Sequence, residues 1–416
     1  MFTKFDSVAL CIYPARFLLA FSMGGFIGAL LPLIRDDFQV SYSQIGLLIA
    51  VFSLSRLLVN LPIGYLADRL SQVALFLVGI GLMMVGSIFC AFSPTFYQLL
   101  VSRGLVGIGG GITNLAALTI LTRNTHATHQ GRVNSLFEFS AIAGTAISPT
   151  VAGWLAMAFH WRAAFVLAVF TSVLSFVWVI FIQANSLPQK SEEAIFDHQG
   201  PRDQENFPEP SSHLLTAPLL VTYLSAFALS TSWGGFLSTL IPLYGGDILG
   251  LKANLIGVVL TLGAIADLCF LIPVGWLSDR LTHGLFLAGG MGIVGVGVAW
   301  LPFTHEFGSY TAACIVIYSG FASWGMIPAL LSELSSRESW GKVLGIYRSL
   351  IDGGAIVGPW LLAYLRQEFG YGVPVLVTLA LLGTTLFLLI TTLPSQHLWP
   401  GRRRAKAYPL GNRETK

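Results

Sequence analysis

The chain has 416 residues, of which 54% are hydrophobic and only 10% are charged. A soluble domain carries about 25% charged residues, so this composition excludes a water-soluble globular protein and predicts a chain embedded in lipid. The net charge of +3 comes from loops and tails without a basic, aromatic-interleaved patch, and we therefore expect no nucleic-acid partner.

Twelve apolar runs are each long enough to cross a bilayer, which takes about 20 residues in a helix. Backbone polar groups cannot stay unpaired in lipid, so each run is predicted to be a transmembrane helix. Those in the first half cover about 8–31, 44–66, 73–92, 96–121, 134–158 and 162–183. Those in the second half cover about 217–242, 254–276, 285–302, 308–332, 343–365 and 373–392.

These runs divide the chain into two similar parts. Residues 1–183 form a predicted N-terminal six-helix bundle, and residues 217–392 form a C-terminal one. The segment between them, 184–216, is rich in proline and charge, which is typical of a polar linker. Residues 393–416 form a basic tail. The predicted fold is an all-α membrane protein with twelve transmembrane helices in two pseudo-symmetric six-helix bundles.

Lys and Arg in the short loops predict the orientation, because cytoplasmic loops collect these residues. One side carries Lys4, Arg69, Arg123, Arg132, Arg280, Arg337, Lys342 and the tail from Arg402 to Lys406. The other side carries Arg35, Arg162, Lys252 and Arg366. We therefore expect both termini and the linker 184–216 in the cytoplasm. The expected location is the inner membrane of a bacterium, and the expected state is a monomer.

The two halves are copies of one unit. The segment Gly64-Tyr65-Leu66-Ala67-Asp68-Arg69 recurs 211 positions later as Gly275-Trp276-Leu277-Ser278-Asp279-Arg280. The same offset of 210 or 211 relates Pro32 to Pro242, Gly46 to Gly257, Gly131-Arg132-Val133 to Gly341-Lys342-Val343, and Gly144-x4-Pro149 to Gly354-x4-Pro359. In an apolar chain, a parallel repeat of this length predicts a transporter with a site between two similar halves.

Several of these segments resemble motifs of the major facilitator superfamily, and the resemblance covers the whole chain. The segment from Gly64 to Arg69 is similar to the signature loop after the second helix, with its copy after the eighth, although Leu70-Ser71-Gln72 follows where a glycine and two basic residues are usual. In the fourth run, Arg103-Gly104-x2-Gly107-x-Gly109-Gly110-Gly111 is similar to the family's arginine-and-glycine motif. In the fifth run, Gly144-x3-Ser148-Pro149-x2-Ala152-Gly153 resembles the motif of proton-coupled drug antiporters, with Ser148 and Ala152 in place of glycines.

The resemblance implies a secondary transporter that works by alternating access and needs no cofactor. It implies that the two signature loops latch the halves together on the cytoplasmic side, through Gly64, Asp68, Arg69, Gly275, Asp279 and Arg280. We expect Gly64 and Gly275 to end their helices in tight turns, since glycine tolerates positive φ. We expect Asp68 and Asp279 to cap a neighbouring helix N-terminus.

The resemblance also implies which helices line the cavity and which pack closely. Helices 1, 7 and 10 would line the cavity, with Phe26, Trp233, Tyr318 and Trp324 as candidate substrate contacts and Arg103 on helix 4 as a further one. Glycines let helices approach closely, so Gly144, Pro149, Gly354 and Pro359 are predicted packing residues, with the prolines as possible bending points.

Ionisable side chains inside the spans cost about 2.5–3.5 kcal/mol or more each and are functional candidates for that reason. They are Arg56, Arg103, Glu138, Asp267, Arg348 and Asp352. Arg16 lies nearer the end of the first run, and we expect it to reach the cytoplasmic interface. The repeat relates Arg56 to Asp267, Glu138 to Arg348, and Asp352 to Ile142.

In the family's arrangement helix 2 faces helix 11 across the two halves, and helix 5 faces helix 8. Arg56 and Asp352 both lie about ten residues, or ~15 Å, from the cytoplasmic ends of their helices, which predicts an ion pair between them. Arg348, four residues before Asp352, is the alternative partner. Asp267 would then face Ile142. Because a dry site favours the neutral form of a carboxylate, Asp267 is the leading candidate for the proton carrier, and Glu138 is the second candidate. The alternative role for Asp267 is a structural ion pair with an arginine that the repeat does not match to it.

These features favour a proton-coupled exporter of a drug-like or amphipathic metabolite. An organic-anion transporter is an alternative, in which Arg56, Arg103 and Arg348 would bind carboxylate or phosphate. A nontransporting membrane receptor or scaffold is an alternative of another class. An enzyme is not expected, because the sequence has no catalytic triad, metal cluster or nucleotide-binding loop. The expected partners are a small molecule, protons and the lipid bilayer, with no metal.

Overall fold

The computed structural model of the protein describes residues 4–66, 70–123, 130–186, 216–336 and 339–394. Within these ranges the regular secondary structure is helical throughout. Helix α1 starts as Lys4–Ala20, passes through a π-helical segment, Phe21–Gly25, and continues as Ile27–Phe38. Helices α2 to α6 are Tyr42–Leu66, Gln72–Ala91, Phe96–Arg123, Gln130–Ala158 and Arg162–Ser186.

The second half repeats this plan. Helix α7 consists of Ala217–Thr231, a π-helical segment Ser232–Leu240, and Ile241–Asp247. Helices α8 and α9 are Ala253–Arg280 and His283–Trp300. Helix α10 consists of Phe307–Phe321, a 3-10 turn Ala322–Gly325, and Met326–Leu334. Helices α11 and α12 are Trp340–Phe369 and Gly372–Thr392.

Length and composition make most of these helices membrane spans. Among the described residues, eleven spans are long and apolar enough to cross a bilayer. The remaining helix, α11, is 30 residues long and carries Lys342, Arg348, Asp352, Arg366 and Glu368. Large apolar side chains such as Val101, Phe170, Ile272 and Leu376 are exposed, as expected of a surface that meets lipid. The chain is an integral, multi-pass membrane protein, as its composition predicts.

Two buried hydrophobic cores correspond to the two bundles. Nearly all side chains of the first core come from residues 11–182, and nearly all of the second from residues 219–393. The bundles meet where α2 packs on α11 and α5 packs on α8, which are the pairs that the family resemblance implies. We call the end of the helices with the α1–α2, α7–α8 and α11–α12 connections the Arg35 face, and the opposite end the linker face.

The internal repeat extends to the local backbone. The sequence Ser22-Met23-Gly24-Gly25-Phe26 recurs 210 positions later as Ser232-Trp233-Gly234-Gly235-Phe236. Both copies coincide with the π-helical segments of α1 and α7. π-helical segments are rare and concentrate at functional sites. Their occurrence at matched positions therefore indicates a functional role for the middle of both helices.

Several helix ends differ from the sequence prediction. Helices α1 and α7 continue past Pro32 and Pro242 to Phe38 and Asp247, whereas the apolar runs end near 31 and 242. The additional turns are polar and carry the Arg35 face beyond the apolar run. The expectation that Gly64 and Gly275 end their helices was wrong, because α2 continues to Leu66 and α8 to Arg280. Gly275 lies inside the helix, and a Cβ there would meet no atom within 4 Å.

Candidate functional site

An ion pair joins the two halves between α2 and α11. Arg56 Nη2 donates to Asp352 Oδ1, and Asn60 Nδ2 donates to the other carboxylate oxygen at 3.4 Å. Asp352 is buried and Arg56 is a third exposed. This is the contact that the repeat predicts. The alternative partner, Arg348, is exposed and makes no ion pair with any described residue.

Close backbone contacts join α2 to α11 and α8 to α5 on the Arg35 side of this ion pair. A Cβ on Gly46 would overlap the carbonyl oxygen of Pro359, and a Cβ on Gly257 would overlap that of Pro149. The two contacts are related by the repeat and involve the prolines that the sequence marks as packing residues. Thr261 on α8 completes the α5–α8 contact, accepting a hydrogen bond from the Thr150 hydroxyl at 2.8 Å and donating to the Ala146 carbonyl at 2.7 Å.

Gly144 and Gly354 pack helices within each half rather than between the halves. A Cβ on Gly144 would overlap the carbonyl oxygen of Phe17 in α1, and a Cβ on Gly354 would lie 2.8 Å from that of Phe227 in α7. Phe17 and Phe227 are 210 positions apart, so these contacts are also copies of one another. These glycines therefore position α1 and α7 against α5 and α11.

Asp267 on α8 stands where the repeat places Arg56 in the first half. It is half-buried and has no hydrogen bond or ion pair with any described residue. It interacts electrostatically with Tyr318 of α10. The Tyr318 ring packs across Gly263, which lies one helical turn before Asp267. Asp267 is therefore an intramembrane carboxylate without a cationic partner in the described chain.

Glu138 on α5 is exposed and faces the space between the halves. It interacts electrostatically with Arg16 of α1 and with Tyr347 of α11, which belongs to the other half. It forms no ion pair with a described residue. Glu138 is thus reachable by solvent in this state, whereas Asp267 is partly covered.

Two arginines of the first half are buried beside the π-helical segment of α1. Arg16 is 8% exposed, its Nη1 donates to the Met23 thioether at 3.6 Å, and its guanidinium lies over the Phe137 ring. Arg103 is 3% exposed, its Nη2 donates to the Met23 carbonyl at 3.4 Å, and its guanidinium lies over the Phe52 ring. The expectation that Arg16 reaches the interface was wrong. Helix α1 starts at Lys4, so Arg16 lies 12 residues, about 18 Å, inside the helix.

The predicted aromatic contacts divide into two groups. Phe26 is fully buried and packs edge-on against Phe165, with ring centroids 5.3 Å apart, so it belongs to the core of the first bundle and does not face a cavity. Trp233, by contrast, is 42% exposed in the π-helical segment of α7. Tyr318 and Trp324 are partly buried on α10. These three aromatic residues remain candidates for substrate contact.

The proposed latch lies partly outside the residues that the structure describes. Asp68 and Arg69 fall outside the described residues. The backbone of Asp279 belongs to the last turn of α8, and the Arg280 guanidinium lies 3.7 Å from the centroid of the Trp276 ring. The roles of Gly64, Gly275 and these charged residues in a latch therefore stay predictions.

A polar network on the Arg35 face joins the halves around Asp247, and sequence analysis missed it. Arg35 Nη1 donates to Asp247 Oδ1 at 2.7 Å, and the hydroxyls of Tyr42 and Tyr371 donate to Oδ2 at 2.7 and 2.8 Å. Arg366 lies 3.6 Å from the same oxygen. Burial, with a further contribution from the charge of Asp247, raises the pKa of the Tyr371 hydroxyl, so it donates at neutral pH. Arg35 and Tyr42 belong to one half and the other three residues to the other half.

Part of this network has an equivalent in the first half. Asp37 is 210 positions before Asp247, and Trp161 is 210 positions before Tyr371. Trp161 Nε1 donates to Asp37 Oδ2 at 2.9 Å, as Tyr371 does to Asp247, but Arg162 completes that contact within the first half. Of these two aspartates, Asp247 is the one that accepts hydrogen bonds from the other half. A comparison of Asp37 with Asp247 and of Trp161 with Tyr371 across the repeat would have indicated this network from the sequence.

Charged and aromatic side chains that meet midway along apolar helices, between two half-molecules, define a membrane transporter rather than an enzyme. Comparison with known families agrees with this class. The model of the Major Facilitator Superfamily matches residues 12–330 and 253–414. The chain belongs to that family.

Two curated relatives illustrate the range of similar transporters. The chain is 25% identical over 343 residues to the quinolone resistance protein NorA of Staphylococcus aureus, which covers 80% of this chain and 84% of NorA. It is 24% identical over 359 residues to a hexuronate transporter of Bacillus subtilis, which covers 82% of this chain and 83% of the relative.

A solved structure with the same fold is a bacterial homologue of the human lysosomal transporter Spinster. The inward-facing, occupied form gives a TM-score of 0.73 at 16% identity and covers 96% of this chain and 100% of the other. The inward-facing, unoccupied form gives a TM-score of 0.74 at 13% identity. These likenesses show the major facilitator fold, which the sequence predicts.

Proposed function

We propose that the protein is a proton-coupled secondary transporter that works by alternating access and exports an amphipathic small molecule. The observation that carries the proposal is Asp267, an intramembrane carboxylate that lacks a cationic partner among the described residues. An ionised carboxylate is costly at this depth unless it is paired, so binding a proton relieves the cost when water is excluded. Release becomes favourable when water reaches the site.

The asymmetry of the repeat supports this role for Asp267. At the matched position in the first half, Arg56 is neutralised by Asp352. The partner position for Asp267 is Ile142, which has no charge to offer. The two interfaces between the halves therefore share one scaffold, but the α2–α11 interface contains an ion pair and the α5–α8 interface contains Asp267 without a cationic partner among the described residues. Glu138 is the second candidate for proton binding, because it is exposed between the halves.

The contacts between the halves support alternating access. The Asp247 network and the glycine–proline contacts close the Arg35 face. We propose that this face is extracytoplasmic and that the linker face is cytoplasmic, because Lys and Arg concentrate at the latter. Both termini, the linker 184–216 and the tail 393–416 then lie in the cytoplasm. The bundles 1–183 and 217–392 rock about the central ion pair, and the signature loops close the cytoplasmic side in the opposite state.

The choice of an amphipathic exported substrate rests on the aromatic residues and on one relative. Trp233, Tyr318 and Trp324 offer partly exposed rings on α7 and α10. NorA is named for quinolone resistance, and this chain matches most of its length. The hexuronate relative favours an organic anion as a second candidate class of substrate.

Transport in proteoliposomes tests the proposal. Purified protein is reconstituted, a panel of fluorescent amphipathic compounds is added outside, and an inside-acid pH step is imposed. We expect at least one compound to accumulate inside in exchange for protons, and accumulation to collapse with a protonophore. Movement that is unaffected by the pH step would contradict proton coupling, and no movement of any compound would favour a nontransporting receptor or scaffold.

A further inference from the structure

Two buried guanidiniums of the first half have no carboxylate to neutralise them among the described residues. We propose that Arg16 and Arg103 bind the anionic group of the transported molecule, a carboxylate or a phosphate, in the space that the Met23 side chain fills. The proposal rests on the proposed function, because it assigns the charge class of the substrate that the same central site accepts.

The first argument is the unmet hydrogen-bonding capacity of both arginines. The Nε atoms of Arg16 and Arg103 are buried and have no acceptor. Arginine presents five donors in a rigid fork and keeps its charge in proteins. A buried, unpaired charge costs several kcal/mol, so an anion that reached these donors would recover part of that cost.

The groups around Arg16 leave its positive charge largely unneutralised. The thioether of Met23 is a weak acceptor, and the ring of Phe137 offers only a π face. Glu138 contributes a favourable electrostatic interaction without forming an ion pair. Arg56 is also close enough to repel Arg16, but its own charge is neutralised by Asp352.

The surroundings of Arg103 are still poorer in acceptors. Its hydrogen bond to the Met23 carbonyl is long, at 3.4 Å, and its other contact is the face of the Phe52 ring. The titratable side chain that interacts with it is Cys90, a thiol. Arg103 is therefore a fully buried cation with one long hydrogen bond to a neutral group.

Met23 is the common neighbour of both guanidiniums. Its sulphur faces Arg16, its carbonyl faces Arg103, and its methyl group lies 3.3 Å from where a Cβ on Gly110 would be. The side chain is partly exposed, and methionine is unbranched and adapts readily. An anion that displaced this thioether would receive donors from both arginines, in the two-pronged geometry that arginine favours with carboxylate and phosphate.

The two buried arginines have no counterparts at the matched positions of the second half. The residues 210 positions after Arg16 and Arg103 are Ala226 and Ala313, and Trp233 stands where Met23 does. The second half therefore offers aromatic surface, whereas the first half offers positive charge. This division fits a molecule with an anionic end and an apolar body.

Equilibrium binding to the purified full-length protein tests the proposal. The probes are 2-naphthoate, its uncharged counterpart 2-naphthamide, and inorganic phosphate, each at constant ionic strength, with Kd from titration calorimetry and Tm from thermal unfolding. We expect 2-naphthoate to bind and raise the Tm, and 2-naphthamide to do neither. Added phosphate that competes with 2-naphthoate would show that the site also takes phosphate, and phosphate that does not compete would restrict it to carboxylates.

Variants of Arg16, Arg103 and Met23 distinguish a direct role in anion binding from a role in the folded structure. R16Q and R103Q should each weaken 2-naphthoate binding about tenfold or more, the loss expected when charge-assisted hydrogen bonds are removed. R16K, which keeps the charge without the fork, is the second variant if R16Q does not fold, and it should bind more weakly than the wild type. The matched control is K342Q, which removes an exposed positive charge on α11 and should bind normally. M23A should bind at least as tightly as the wild type, because the competing thioether is gone.

Three results would overturn the proposal. They are absence of 2-naphthoate binding to the wild type, equal binding of 2-naphthamide, and undiminished binding to folded R16Q and R103Q. The last result would show that Arg103 only tethers the π-helical segment of α1. Because the assay needs neither a proton gradient nor transport, binding without pH-driven transport would count against the proposed function alone. Proton-driven transport of neutral compounds only, without anion binding, would count against this inference alone.

Discussion

Arg56 and Asp267 are related by the repeat, but they differ in whether a side chain of opposite charge lies beside them. Arg56 is paired with Asp352 across the interface between the bundles, and Asp267 has no cationic partner in the described chain. Two differences within the duplicated scaffold, Arg56 against Asp267 and Asp352 against Ile142, therefore leave one interface with an ion pair and the other with an unpaired carboxylate. The chemistry of the proposed coupling depends on this difference rather than on the symmetry.

The ion pair itself gives a prediction. Arg56→Ala and Asp352→Ala should each slow transport and lower the Tm, because each leaves an uncompensated charge in a mostly buried place. The double variant should lose no more than the worse single variant, since the two residues act as one unit. Transport rates and thermal unfolding of the three variants measure this. Arg348→Ala is the control and should resemble the wild type, whereas additive losses would show that Arg56 and Asp352 act separately.

At the residue scale, a charge pair between facing helices was predictable, whereas the burial of individual side chains was not. The Arg56–Asp352 contact followed from equal depth on facing helices. The burial of Arg16 did not, because the start of α1 at Lys4 lies outside the apolar run. The core position of Phe26 could not be read from the sequence either, because an aromatic residue on a cavity-lining helix packs equally well inward.

Helices α2 and α11, and α5 and α8, approach each other through glycines that face proline carbonyls. A side chain at Gly46 or Gly257 would strike backbone rather than a movable side-chain end. Backbone cannot give way without separating the bundles. These contacts therefore fix how closely the halves come together at the Arg35 face.

Gly46→Ala and Gly257→Ala should weaken closure of the Arg35 face. Overpacking of a tight contact costs about 1–3 kcal/mol, so we expect a lower Tm and slower transport for each. Gly292→Ala in α9 is the matched control, since a Cβ there would meet no atom within 4 Å. Thermal unfolding and transport assays compare the three. If the interface variants match Gly292→Ala, the close contact does not matter for closure.

Helix number and order were predictable from apolar runs, but helix ends and internal irregularities were not. Hydropathy reports only the part of a helix that lies in lipid, so the polar ends of α1 and α7 were missed. The π-helical segments were also missed, although Ser-x-Gly-Gly-Phe occurs in both copies. That motif was visible in the sequence, and only its backbone geometry required the structure.

The whole molecule is closed on one side by a network that belongs to neither half alone. Asp247 accepts hydrogen bonds from Arg35 and Tyr42 of the first half and from Tyr371 of its own half. A transporter that alternates must break these contacts once per cycle. Sequence analysis assigned Arg35 and Arg366 only to a less basic side of the membrane, because their shared partner lay beyond the predicted end of the seventh run.

Asp247→Asn should shift the protein toward opening at the Arg35 face, because a neutral amide holds Arg35 less strongly. The readout is modification of Ala363→Cys by a membrane-impermeant thiol reagent, since Ala363 is fully buried on α11, one helical turn before Arg366. We expect faster labelling with Asp247→Asn. Asp37→Asn is the control, because its partners Trp161 and Arg162 lie in its own half. Equal labelling in all three backgrounds would remove the network from gating.

We propose that Asp267 carries the coupled proton, and transport in proteoliposomes distinguishes Asp267 from Glu138 in this role. For a compound that the wild type transports, pH-driven accumulation and gradient-free exchange are measured side by side in the wild type, Asp267→Asn and Glu138→Gln. We expect Asp267→Asn to lose pH-driven accumulation and retain exchange, and Glu138→Gln to retain both. Wild-type accumulation in Asp267→Asn, or its loss in Glu138→Gln alone, would exclude Asp267 as the proton carrier.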